Sequence, residues 1–211
     1  THSMTVNATL TLTSGQVRTN ANLLYVASGN AIGSAGGSDF VIGNLRKRFT
    51  AIGANQTRVF GVGTDGGGAP LYAPVNLRLG QVTAIGDFTV STTAGDHPAI
   101  AGSTLDAAQS VNRYWTLAND SVGFDPNANN RIIFTFVNPG DLDAGAATGT
   151  FFASRYNAPN WTEITPSALR TCLIVTVKSA AAAAETAVRP DMASALATAS
   201  ALENLRNDIF L

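Results

Sequence analysis

Three observations predict an all-β fold for this chain, an antiparallel β-sandwich of the immunoglobulin-like or jelly-roll-like kind. Apolar and polar residues alternate with a period of two through most of the first 178 positions. Clusters of Gly, Pro, Asn and Ser interrupt the alternation at short intervals, and no helical period intervenes. Short alternating runs between turn signals are half-buried strands, and many in series pack as two sheets.

The first run sets Val6, Ala8, Leu10 and Leu12 against Thr5, Asn7, Thr9, Thr11 and Thr13, and Ser14-Gly15 ends it. Further strands are expected at Asn22–Ala27, Phe40–Phe49, Thr57–Val62, Ala73–Leu79 and Phe88–Thr93. Ser110–Ala118, Arg131–Asn138, Thr150–Tyr156, Trp161–Ile164 and Arg170–Val177 complete the series. Arg131–Asn138 is apolar on both faces, which predicts a central strand. In Val111–Leu117 the odd positions suit a core, and Arg113 among them needs a partner or a route to solvent.

The tail follows another period. Ala180–Ala184 lead to Pro190-Asp191, a helix start with proline in the first turn. Met192, Leu196, Ala199, Leu202 or Leu205, and Ile209 then recur every three or four residues, predicting an amphipathic helix that docks on the sandwich or on a second copy. The expected divisions are a cloning remnant at 1–4, a β-sandwich at 5–178, an Ala-rich linker at 179–190 and the helix at 191–211.

Composition restricts the chemistry. The chain has two histidines, one cysteine, two lysines and three glutamates, and only 13% of it is charged. Acids, bases and nucleophiles come mostly from that scarce set, so a module that holds a shape or binds is expected, not an enzyme. A net charge of −1 gives no field for nucleic acid, and no apolar run of membrane-spanning length occurs. Any export signal is expected to have been removed. Cys172, between Thr171 and Leu173-Ile174-Val175, reads as a small buried hydrophobe. The basic triplet Arg46-Lys47-Arg48 reads as a solvated strand surface.

The order of motifs from Asn7 to Thr165 resembles a β-sandwich module of long, secreted, adhesin-like surface proteins of Bacteroidota-type bacteria, exported by the type IX route. The likeness rests on Leu10-Thr11-Leu12-Thr13-Ser14-Gly15, Gly43-Asn44-Leu45-Arg46-Lys47, Phe60-Gly61-Val62-Gly63-Thr64 and Tyr72-Ala73-Pro74-Val75-Asn76-Leu77. Thr93-Ala94-Gly95-Asp96-His97-Pro98, Val111–Leu117, and Arg155-Tyr156 followed by Trp161-Thr162 complete it. It implies an extracellular, bacterial cell-surface setting, a structural or adhesive role and no catalytic residues. It also implies that the opening strands, Asn7–Ser28, stack as the last rungs of a β-helix. The Ala-rich tail departs from the family pattern, and the likeness stops at Thr165.

Five candidate sites follow. Gly61-Val62-Gly63-Thr64-Asp65-Gly66 matches a dinucleotide fingerprint, but Gly67-Gly68-Ala69-Pro70 follows where a helix N-terminus is required, so a hairpin loop is expected. His97 lies in a turn with Asp96 beside it, where adjacent residues point apart, and local bonding is expected over catalysis. Asp141 and Asp143 alternate in a flexible turn that could hold a structural calcium ion, the only cofactor in view, although Asx turns explain them too. Tyr114, Tyr156 and Trp161 are trial stacking residues for surface glycans, while Trp115 is assigned to the core. A covalent Lys–Asn cross-link would need Lys47 or Lys178, and the like charges flanking Lys47 argue for its exposure. The expected function is a non-enzymatic extracellular spacer, adhesive or assembly unit of a surface protein or filament. Its partners would be neighbouring modules or copies of itself, and the alternative is a carbohydrate-binding module.

Overall fold

The computed structural model describes residues 3–28, 32–33, 37–50, 52–65, 69–148 and 151–164, and the backbone of 171–179, 195–196 and 206–210. Five strands come first: β1 (Met4–Val6), β2 (Leu10–Thr11), β3 (Val17–Val26), β4 (Ile32–Gly33) and β5 (Val41–Phe49). They stack in parallel. Met4–Val6 lies beside Leu24–Val26, which lies beside Leu45–Lys47, and Leu10–Thr11 lies beside Ile32–Gly33. Two parallel columns that recur after roughly twenty residues are rungs of a short β-helix, and they extend past the expected Asn7–Ser28 at both ends, from Met4 to β5. The run through Thr5–Thr13 is therefore not one strand. It bends at Asn7 and Ala8, and the alternation persists because each rung still has an inner and an outer side.

Next come β6 (Gln56–Phe60), β7 (Val62–Thr64), β8 (Leu71–Tyr72), β9 (Val75–Leu79), β10 (Val82–Ala84) and β11 (Gly86–Ala94). The glycine-rich fingerprint is a hairpin: Gly63 of β7 pairs with Tyr72 of β8. A Cβ on Gly63 would lie 2.3 Å from the Leu71 carbonyl oxygen and 2.4 Å from the Phe40 ring, so close packing requires glycine there. A 3₁₀ turn, Ile100–Gly102, precedes β12 (Arg113–Asp120), β13 (Gly123–Phe124), β14 (Asn130–Asn138), β15 (Ala153–Asn157) and β16 (Asn160–Ile164). The last strands are β17 (Thr171–Ser179), β18 (Ala195–Leu196) and β19 (Arg206–Phe210).

The larger sheet runs β1-β3-β5-β11-β12-β19-β15-β16, with β7 and β8 added beside β5. The smaller runs β18-β17-β14-β9-β6. Leu45, Phe49, Phe88, Val90, Trp115 and Leu117 of the first face Leu77, Phe60, Phe134 and Phe136 of the second in one buried cluster. Trp115 packs on Phe134 at 4.9 Å, and its indole N–H donates to the Ala73 carbonyl at 3.0 Å. β14 is the expected central strand, with β9 antiparallel on one side. On its other side β17 is parallel, which differs from a purely antiparallel sandwich. The chain leaves the smaller sheet after β14, makes the β15–β16 hairpin in the larger one and re-enters beside β14, and such a crossover returns a strand in the same sense.

Residues 191–194, 197–205 and 211 of the expected helix lie outside the described residues, as does most of the 179–190 linker. Where its backbone is described, the tail is strand. Arg206–Phe210 pairs antiparallel with both β12 and β15, between them. Two open hydrogen-bonding edges outweigh a local helical period.

Candidate functional site

The three trial stacking residues do converge, but on a histidine. Tyr114 comes from β12, Tyr156 from β15 and Trp161 from β16, and His97 comes from the loop after β11. Ring centroids lie 5.0 Å from His97 to Tyr114, 4.6 Å to Tyr156 and 5.1 Å to Trp161. Tyr156 and Trp161 are 4.9 Å apart. The planes are inclined by 45° to 84°, so the rings meet edge to face or tilted rather than as a flat platform. His97 is buried at the centre, and its Nδ1 accepts the Ala99 N–H at 3.1 Å. The acceptor role puts the proton of the neutral ring on Nε2. Trp161 donates its indole N–H to the Ala99 carbonyl at 2.9 Å. The cluster thereby pins the 97–102 loop and ties β12 to the β15–β16 hairpin. It is a knot, not a row.

The acids are committed to protein donors. Arg113, which opens β12, is wholly buried, and it donates from Nε to Asp141 Oδ2 at 2.9 Å and from Nη2 to Oδ1 at 2.8 Å. The same guanidinium reaches Thr92 of β11 at 3.2 Å and Thr64 of β7 at 3.1 Å. Asp141 Oδ2 also accepts the Val137 N–H of β14 at 2.8 Å. One ion pair thus joins the two sheets, and it supplies the partner that Arg113 requires.

Asp143 accepts from the Ser110 N–H at 2.9 Å and from the Asn112 side-chain amide at 2.7 Å. Asp96 Oδ1 accepts the Ser110 hydroxyl at 3.5 Å. Loss of water contact, then the charge of Asp143, raises the Asp96 carboxyl above its ordinary range against the Ser110 bond. The oxygens proposed for calcium at Asp141 and Asp143 are therefore occupied by N–H donors. No group of three His, Cys, Asp or Glu placed to hold a metal ion occurs among the described residues.

Lys47 corrects the expected exposure of the basic triplet. It is fully buried, in phase with Leu45 and Phe49, while Arg46 and Arg48 face outward. Consecutive strand residues cannot all share one face. Burial, then the charge of Arg58, lowers its ammonium to about 8. Arg46 pairs with Asp120 at 2.5 Å, and Arg48 donates to the Tyr25 hydroxyl at 3.1 Å. The signal for Lys47 was available, since the residue sits in the apolar phase of its strand. The partner of Arg113 was not, because it lies in a different loop of the fold. The side chains of Cys172 and Lys178 lie outside the described residues.

A separate depression of about 200 Å³ is lined by Thr104, Leu105, Asp106, Gln109, Phe151 and Phe152. Comparison with known protein families, with curated proteins and with solved structures finds no match.

Proposed function

We propose that the chain is a non-enzymatic extracellular module of a bacterial surface protein or filament, working as a rigid spacer and assembly unit. The observation that carries this reading is the continuity of one sheet. β1, β3 and β5 are rungs of the parallel stack, and β5 is also the antiparallel neighbour of β11 in the sandwich. Tension on the rungs passes into the sandwich through the backbone hydrogen bonds that β5 makes on both of its sides. The side chains with chemical potential support the same reading, because His97, Asp141 and Asp143 are spent on holding loops and sheets. The inclined rings around His97 favour it over sugar stacking at Tyr114, Tyr156 and Trp161.

Single-molecule pulling of the full chain, with handles at Thr5 and Ile164, tests this. One rip that releases rungs and sandwich together, on the order of 55 nm of chain, is expected. A first, weaker rip that releases only the rungs would contradict it.

A further inference from the structure

On the outer face of the smaller sheet two arginines meet with no carboxylate paired to either among the described residues. Arg78 of β9 stands directly opposite Arg131 of β14, and Thr57 of β6 continues the row on the other side of Arg78. Leu77 and Ile132 point into the core, so both arginines lie on the outward face. Like charges facing each other across an antiparallel pair destabilise it. Two other outward arginines have carboxylate partners, Arg18 with Asp65 and Arg46 with Asp120, while Arg48 bonds the Tyr25 hydroxyl. Neither Arg78 nor Arg131 forms an ion pair among the described residues. The Nε of Arg131 is buried without a hydrogen-bond partner, and so is Oδ1 of Asn76. Asn76 stands opposite Ile133, diagonal to Arg131. A buried donor and a buried acceptor left open side by side cost stability and gain nothing in the free chain.

We propose that Arg78 and Arg131 bind the carboxylate or sulfate group of an acidic sugar chain. Their Cβ atoms stand about 5 Å apart, which lets two guanidinium forks close on one oxyanion through charge-assisted bonds. Thr57, next in the row beside Arg78, offers a hydroxyl contact to the same sugar. Val59, 40% exposed, supplies apolar surface beside Asn76 for the C–H face of a ring. Nucleic acid fits less well, because two cations on a chain of net charge −1 cannot follow a polyphosphate backbone. The site deepens the adhesive side of the proposed function and rests on it, but the pulling experiment depends on neither arginine, so the two fail independently.

The test titrates the full chain with tetragalacturonate, sulfated cellotetraose and unmodified cellotetraose by calorimetry at matched ionic strength. At least one of the acidic probes is expected to bind, and which one distinguishes a carboxylate ligand from a sulfate. Unmodified cellotetraose is expected not to bind. Arg78→Gln and Arg131→Gln are each expected to weaken binding by at least about tenfold. Removing one of two facing charges leaves Tm equal or higher, which separates lost binding from lost folding. Silence of both acidic probes, equal binding of the neutral one, or equal affinity in the variants would overturn the proposal.

Discussion

Asp141→Ala is expected to destabilise the protein by about 3–5 kcal/mol, because it strands a buried guanidinium. Arg113 and Asp141 are 0% and 1% exposed. Without the carboxylate, Arg113 keeps only the hydroxyls of Thr92 and Thr64, and the Val137 N–H loses its acceptor. Arg113→Ala should cost a similar amount, since it leaves the buried anion. The double replacement Arg113→Met with Asp141→Leu should cost much less than either single change, because it removes both charges and fills the volume. Urea unfolding reads these effects as midpoint shifts at constant slope. A single-variant cost below about 1 kcal/mol would show that the pair does not fasten the sheets.

The second large effect depends on pH. Burial holds the Lys47 ammonium at about 8 in the folded chain against 10.5 in the open one. Between those values the unfolded chain binds more protons, so stability should rise with pH across that window and level off above it. Below about pH 8 both states carry the charge, and the full penalty of burying it is present. The difference corresponds to about 3 kcal/mol. Lys47→Met should abolish the rise and be the more stable protein at pH 7. Parallel stability curves for the two proteins between pH 8 and 10.5 would contradict the burial argument.

Much of the fold was legible in the sequence because a strand writes its inner face into every second residue. Phe40–Phe49, Ala73–Leu79, Phe88–Thr93 and Arg131–Asn138 each lie within a residue or two of an observed strand. The same rule could not separate β1 from β2, since a rung corner preserves the alternation that a straight strand shows. Nor could it see the slot between β12 and β15, two strands distant in sequence from Arg206–Phe210. The aromatic residues Tyr114, Tyr156 and Trp161 were identified by type, and their meeting on His97 needed the loop after β11 to fold back. Register was the missing quantity elsewhere. Arg78 and Arg131 are unremarkable until β9 and β14 align them. Lys47 is the reverse case: its phase in β5 marked it as buried, and its charged neighbours obscured that.

The central claim is that rungs and sandwich are one cooperative sheet, and native-state hydrogen exchange tests it most directly. The amides of Leu24 and Leu45 in the stack should share one opening free energy with those of Val90 and Trp115 in the sandwich, and all four should respond alike to added denaturant. Early exchange of Leu24 and Leu45 through a low-energy opening, with Val90 and Trp115 still protected, would contradict the account.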